Sequence, residues 1–217
     1  MAWLKDGCVL WLQFDEEKGD VAYDQSGIGN NGGIYGATRV KGKIGGALDF
    51  NGVDNYVEIP DSDSFRFPNE VTFEVWVFIR ALPEWKEIVA KPDHNTGLLS
   101  EAGTLGFSSS VWIAGERQKL NRNVGTELNK WHHVASTYVG ETGEHKLYVN
   151  GQLANSLIQA KGTIDSKVGT NVFLGSKAGE SNFLDGLIDE VRIYNRALSA
   201  KEIFSHYMYA LTHVKRV

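Results

Sequence analysis

The sequence predicts an all-β protein built as two antiparallel sheets packed face to face. Short runs rich in Val, Ile, Leu and aromatic residues are separated by glycine-containing turns. Glycine is abundant, at 24 residues, and proline scarce, at four. No long stretch with a helical period lies between the runs, so parallel strands joined by crossover helices are not expected.

The elements follow in order. Cys8–Phe14 (CVLWLQF) is a first strand; Lys5 and Asp6 interrupt the apolar residues before it and no small-residue cleavage site follows, so it does not read as a signal peptide. Ala47–Phe50 and Tyr56–Ile59 are short strands, and Val71–Ile79 (VTFEVWVFI) alternates cleanly. In it Phe73, Val75, Val77 and Ile79 form the inward set, with Thr72, Glu74, Trp76 and Phe78 on the other face. Glu87–Lys91, Thr104–Ala114 and His132–Val139 are the next strands. Asn150-Gly151 in HKLYVNGQLA marks a type I′ hairpin, because both residues accept positive φ. Val172–Gly175 and Gly186–Tyr194 close the strand set. Ser199 and Glu202 form a capping box that opens a short terminal helix, AKEIFSHYMYAL. With no linker or low-complexity segment, residues 1–217 read as one domain.

Composition narrows the function. A net charge of −5 without blocks of Lys or Arg gives nucleic-acid binding little electrostatic support. No apolar run approaches the roughly 18 residues of a membrane span, so membrane insertion is not expected. The single Cys8 excludes an internal disulfide framework and reads as a buried, inert thiol.

Longer blocks carry a resemblance. LWLQFDEEKGDVAYDQSGIGNNGGIYGAT, GGALDFNGVDNYVEIP, WHHVASTYVGETGEHKLYVNGQLA and FLDGLIDEVRIYNRALSAKEI occur in that order and span most of the chain. Together they resemble the laminin-G-like domains of the concanavalin A-like lectin/glucanase superfamily. The resemblance implies a jelly-roll sandwich with one concave sheet, used mainly to recognise glycans or other proteins and in a minority of members as an enzyme. The stretch from Ala81 to Leu128 matches least.

The resemblance also implies one structural calcium ion, held between the early aspartate loop and the closing strand. Strict alternation in GLIDEVRIY puts Asp189 on a face with Leu187, Val191 and Ile193, and Glu190 with Ile188, Arg192 and Tyr194. A carboxylate among apolar neighbours needs a cation, an arginine or backbone N–H groups. Asp24 and Asn31 with Asp189 or Glu190 are the expected calcium ligands, since calcium takes about six to eight oxygens. The alternative is that Asp24 and Ser26 form an Asx turn while Glu190 and Arg192 make surface or salt-bridge contacts.

No catalytic residues are assigned. The E-x-D-x-E strand pattern of jelly-roll endoglucanases is absent, and no nucleophile-elbow signature accompanies the histidines. Trp131, His132 and His133 of WHHVA read as structural, with His132 facing the same way as Val134. The expected ligand-binding residues are Glu74, Trp76, Trp85, Trp112 and Arg117, combining aromatic faces that stack on sugar rings with charged groups that bond hydroxyls. The first expectation is a non-catalytic glycan-binding domain acting outside the cell, on a cell surface or on a virion. The alternatives are a glycoside hydrolase or polysaccharide lyase with its site on the concave face, and a protein-binding structural domain.

Overall fold

Three layers stack in the folded chain: two eight-stranded sheets face to face, and a helix on the outside of the first. The computed structural model describes residues 4–82, 84–91, 96–101, 106–122 and 127–212. The first sheet runs β14 (Gln152–Ile158), β13 (Glu144–Val149), β12 (Trp131–Val139), β7 (Glu70–Ala81), β16 (Asp185–Tyr194), β5 (Gly46–Asn51) and β4 (Thr38–Lys41). Its eighth strand, β1 (Cys8–Leu12), pairs with the second half of β16. The second sheet runs β11 (Glu116–Arg122), β10 (Gly106–Ile113), β9 (Thr96–Glu101), β8 (Lys86–Lys91), β15 (Val172–Leu174), β6 (Tyr56–Ile59), β3 (Gly32–Tyr35) and β2 (Val21–Ala22). All neighbours pair antiparallel, and α1 (Ala200–Thr212) follows the last strand.

The main core fills the space between the sheets. Phe73, Val75, Val77 and Ile79 of β7 point inward as the alternation requires, packing in one cluster with Ile88, Val89, Leu98, Phe107 and Val111 of the second sheet. Each such side chain contributes on the order of 1.5–3 kcal/mol. On β12, His132 and Val134 lie opposite Val77 and Val75, while Trp131 and His133 lie opposite Phe78 and Trp76 on the outer face.

A polar thread crosses this interior. Buried His145 sits 3.0 Å from Ser109 Oγ through Nε2 and 2.6 Å from Gln159 Oε1 through Nδ1. Burial pushes its pKa down to about 4, so the ring is neutral at physiological pH.

Two bulges set which way key side chains face. In β16 the register slips between Asp189 and Arg192, and Glu190 takes φ +52°. Strict alternation therefore fails there. Ile188, Val191 and Ile193 all reach the core, whereas Asp189 pairs with Trp76 and Arg192 with Glu74 on the outer face. In β8 the slip between Glu87 and Val89 sends both Ile88 and Val89 inward, leaving Glu87 and Ala90 outside.

The local signals hold. Asn150 and Gly151 adopt φ +51° and +75° in the β13–β14 turn. Ser199 Oγ accepts from Glu202 N, and Glu202 Oε2 accepts from Ser199 N, as in a capping box. Strands β2, β3, β4, β9, β11 and β14 carry no sequence signal of comparable strength, being very short, glycine-rich or polar.

Candidate binding face

The aspartate loop closes on itself. Asp24 Oδ1 accepts the N–H groups of Trp11 and Ser26, both at 2.9 Å, the latter completing an Asx turn. Its Oδ2 accepts from Ser26 Oγ at 2.7 Å and from the N–H groups of Asn30 and Gly29 at 2.9 and 3.0 Å. A carboxylate offers about four acceptor sites, and these donors fill them. Asn31 turns its Oδ1 to the N–H of Asp24.

The closing strand's carboxylates diverge. Glu190 accepts from Trp11 Nε1 (3.0 Å) and Gln13 Nε2 (3.3 Å) and pairs with buried Arg192. Asp189 accepts the N–H of Ile44 in the β4–β5 turn at 2.9 Å. Burial, and then the neighbouring Glu190, hold its pKa well above the usual carboxylate range. Asp24, Asn31, Asp189 and Glu190 thus face separate sets of donors, and this set does not fit a calcium ion. Among the described residues no group of three or more His, Cys, Asp and Glu side chains is arranged to hold a metal.

Glu74 and Trp76, expected on a ligand-facing row, lie beneath the protein's own helix. Glu74 Oε1 is 2.6 Å from His133 Nε2, and its Oε2 is 2.7 Å from His206 Nδ1 on α1. Burial works to raise the Glu74 pKa, but the charges and hydrogen bonds of His206 and His133 hold it well below the usual carboxylate range. Trp76, 2% exposed, stacks on Tyr207 of α1 with ring centroids 5.7 Å apart, and Lys43 Nζ stands 4.8 Å from its centroid. The expectation for these two residues is corrected: an acidic and aromatic row here docks a helix. Nearby Cys8 is buried too, its thiol pushed up to about 12 by burial, which makes it inert.

The outer face of the second sheet differs. Register makes Phe173 of β15, Ala90, Gly97, Ser110 and Lys119 of β11 successive partners in one row. They point away from the core, because their strand neighbours Leu174, Val89, Leu98, Val111 and Leu120 fill it. The middle of the row is made of Ala, Gly and Ser, all buried, and Gly97 is obligatory, since a Cβ would stand 2.0 Å from the Val89 carbonyl oxygen. The next row is Glu87, Leu99, Ser108 and Asn121.

Larger side chains rim this floor. On one flank Phe173 lies 6.1 Å from Tyr56, which stacks on the exposed Tyr35 at 4.6 Å. On the other, Trp112 pairs with exposed Arg117, whose Nη2 donates to Ser110 Oγ at 3.3 Å. Trp85, 37% exposed, lies just ahead of β8, two residues before Glu87. Since β8 and β10 run in the same direction, Trp85 and Trp112 stand about six residues apart along the strands, roughly 20 Å. Of the expected binding residues, Trp112 and Arg117 are cross-strand neighbours on this sheet, Trp85 lies ahead of β8 at the far end, and Glu74 and Trp76 lie on the opposite outer face of the sandwich.

Sequence reasoning missed Tyr35, Tyr56, Phe173, Glu87 and Lys177. Glu87 is fully buried in the floor, and burial pushes its pKa up to about 7 against the opposing pull of Lys177 and Arg117. Lys177 belongs to the turn after β15, where Gly179 packs so closely on Tyr56 that a Cβ would lie 3.0 Å from the ring. The bulge that turns Glu87 away from the main core leaves no trace in EIVAK.

The chain is thus a two-sheet antiparallel sandwich with a helix on one outer face. The chain belongs to the concanavalin A-like lectin/glucanase superfamily: a laminin-G-type family model of that description matches residues 51–204. No curated protein matches the sequence. Among solved structures it is similar to the binding domain of a paraclostridial mosquitocidal protein (19% identity, TM-score 0.76, 94% of this chain and 52% of that one). It is also similar to the ligand-binding domain of botulinum neurotoxin serotype D in complex with N-acetylneuraminic acid (18%, TM-score 0.71, 96% and 52%). A third likeness is to domain 4 of an extracellular arabinanase from Geobacillus stearothermophilus in complex with arabinotriose (21%, TM-score 0.70, 91% and 97%). At these identities the likeness is one of fold. The chain spans about half the length of the two toxin domains. Among the described residues no helix is long and apolar enough to cross a membrane.

Proposed function

We propose that this domain recognises a glycan without cleaving it, on the outer face of its second sheet, and does so outside the cell or on a surface. The observation that carries this reading is the group of aromatic and cationic side chains on the second sheet's side of the sandwich: the partly exposed Trp85 ahead of β8, Trp112 opposite the exposed Arg117, and the Tyr35–Tyr56 stack. Aromatic rings offer faces to sugar C–H groups, and the guanidinium of Arg117 offers donors to hydroxyls. The sugar complexes of the arabinanase domain and of the neurotoxin domain support it by likeness of fold.

The test is a glycan array on the intact chain, followed by titration calorimetry of the best binder with the W85A and W112A variants. Each substitution is expected to weaken binding about tenfold, near 1.4 kcal/mol, with an unchanged melting temperature. Unchanged affinity in both variants would remove this face from consideration. Release of reducing sugar from a polysaccharide panel would replace binding with catalysis.

A further inference from the structure

We infer a second saccharide site, apart from the outer face of the second sheet: a groove along the rim of the sandwich that takes an uncharged oligosaccharide. Two adjoining cavities form it. One, of about 440 Å³, lies between the start of β7, the β12–β13 turn and the segment after β14, with Asn69, Glu70, Val139, Glu141 and Thr163 in its walls. The other, of about 400 Å³, continues past Thr163 to Arg66, Pro68, Asp165 and Ser166. Each is large enough for a small ligand, since such sites run from about 300 to 1,000 Å³.

Backbone bonds fix the walls. The N–H of Gly140 donates to the Asn69 carbonyl at 2.6 Å, that of Gly162 to the Gly140 carbonyl at 3.0 Å, and that of Ile164 to the Pro68 carbonyl at 3.3 Å. A side chain at Gly140 has no room, because a Cβ would stand 2.3 Å from the Gly162 carbonyl oxygen. Asp165 ties the far wall to the second sheet: its N–H donates to the Trp112 carbonyl and its Oδ2 accepts from the N–H of Gly115, both at 2.8 Å. Phe67 and Ile164 anchor the same segments in the main core. A ligand therefore meets a surface already in shape, and little chain ordering opposes its binding.

The chemistry of the walls suits hydroxyl groups. The Asn69 amide, the Glu141 carboxylate and the hydroxyls of Thr163 and Ser166 make no hydrogen bond within the chain, so donors and acceptors alike are available. Pro68 and Val139 add apolar surface for sugar C–H groups. Charge sets the class. Glu70, Glu141 and Asp165 line the groove, and its one cation, Arg66, is already paired with Asp61. Glu70 Oε2 accepts the N–H of Ala197 at 2.8 Å, which leaves its charge in place. Lys161 and Lys167 border the segment in sequence but are exposed and form no part of these walls. Such a lining repels uronates and sulfate esters and accepts neutral sugars.

The experiment follows backbone amide and indole NMR signals of the intact, isotope-labelled chain as neutral oligosaccharides (xylo-, cello-, arabino- and malto-hexaoses) and tetragalacturonate are added. A neutral probe is expected to shift the amides of Asn69, Gly140, Gly162 and Thr163, and tetragalacturonate to leave them in place. Thr163→Trp, which puts an indole where the two cavities meet, is expected to abolish those shifts. N69A and E141A are each expected to weaken binding about fivefold, the scale of one net hydrogen bond. W85A should leave the groove shifts as they are. Melting followed by circular dichroism confirms that each variant is folded. Absence of groove shifts with every neutral probe, their survival in Thr163→Trp, or equal shifts from tetragalacturonate would overturn the inference. Movement of the Trp85 indole signal without groove shifts would leave the second-sheet reading standing and remove this one; groove shifts alone would do the reverse.

Discussion

The sandwich has two outer faces built from similar parts. That of the first sheet carries Glu74, Trp76, Trp131 and His133; that of the second carries Glu87, Trp112, Tyr56 and Arg117. The difference is that the chain supplies its own complement to the first. Helix α1 brings His206 to Glu74, Tyr207 to Trp76 and Ala210 into the same apolar cluster, so an acidic, aromatic surface becomes a second core. Among the described residues no helix lies over the second face, whose central residues Glu87, Ala90, Leu99, Ser108 and Ser110 are nevertheless buried as well. A mixed row of rings and carboxylates is therefore a surface that needs a partner, and only the topology says whether the partner is internal.

The sharpest way to break this comparison is to remove the internal match. Glu74→Ala leaves His133 and His206 buried without their shared carboxylate, and urea unfolding is expected to show a loss of about 3–5 kcal/mol. Trp76→Ala is expected to cost a similar amount, about 3–5 kcal/mol, by emptying the space under Tyr207. In both variants the fraction that folds should bind glycan as the wild type does. Loss of affinity without loss of stability would mean that the first face, after all, meets the ligand.

Glu87 sharpens the comparison through pH. Its folded-state pKa is raised from 4.5 to about 7, so the folded protein keeps a proton that the unfolded chain gives up. Its favourable contribution is fully present below about 4.5 and is lost as pH rises through about 7, amounting to about 3 kcal/mol. Denaturant midpoints measured across that window should fall in the wild type more steeply than in E87Q. Parallel profiles would show that Glu87 is ionised throughout.

Smaller effects belong to the ends of the chain's elements. Ser199→Ala should cost about 1 kcal/mol in thermal unfolding by uncapping α1. Chelation comes last: because N–H and O–H donors fill the Asp24 carboxylate, EDTA should leave the melting temperature where it was. A drop of several degrees would restore a cation to that loop.

What the sequence made legible was local. The alternation of β7, the Asn150-Gly151 turn and the Ser199–Glu202 box each depend on residues within a few positions, and each stands in the structure. The faces of β16 were misread beyond Ile188, since a single residue at positive φ, Glu190, reverses the alternation and nothing in IDE announces it. Glu74 and Trp76 were misplaced for a longer-range reason: their cover comes from His206 and Tyr207, more than a hundred positions on. The floor of the second face is harder still to see. Ala90, Gly97 and Ser110 mean nothing singly and become one row only through the register of β8, β9 and β10.

The pairing of β1 with β16 has a mechanical side. Cys8 faces Tyr194 and Leu12 faces Val191, while Leu4, Tyr194 and Ile203 share one apolar cluster. The chain therefore enters β1 and leaves β16 at the same edge of an antiparallel ladder. Tension applied between residue 4 and the start of α1 peels that ladder open rung by rung from Cys8, where shear would load every rung at once. A tether that pulls through both termini would strip away the first strand under modest force, whereas one attached through a single terminus leaves the ladder unloaded.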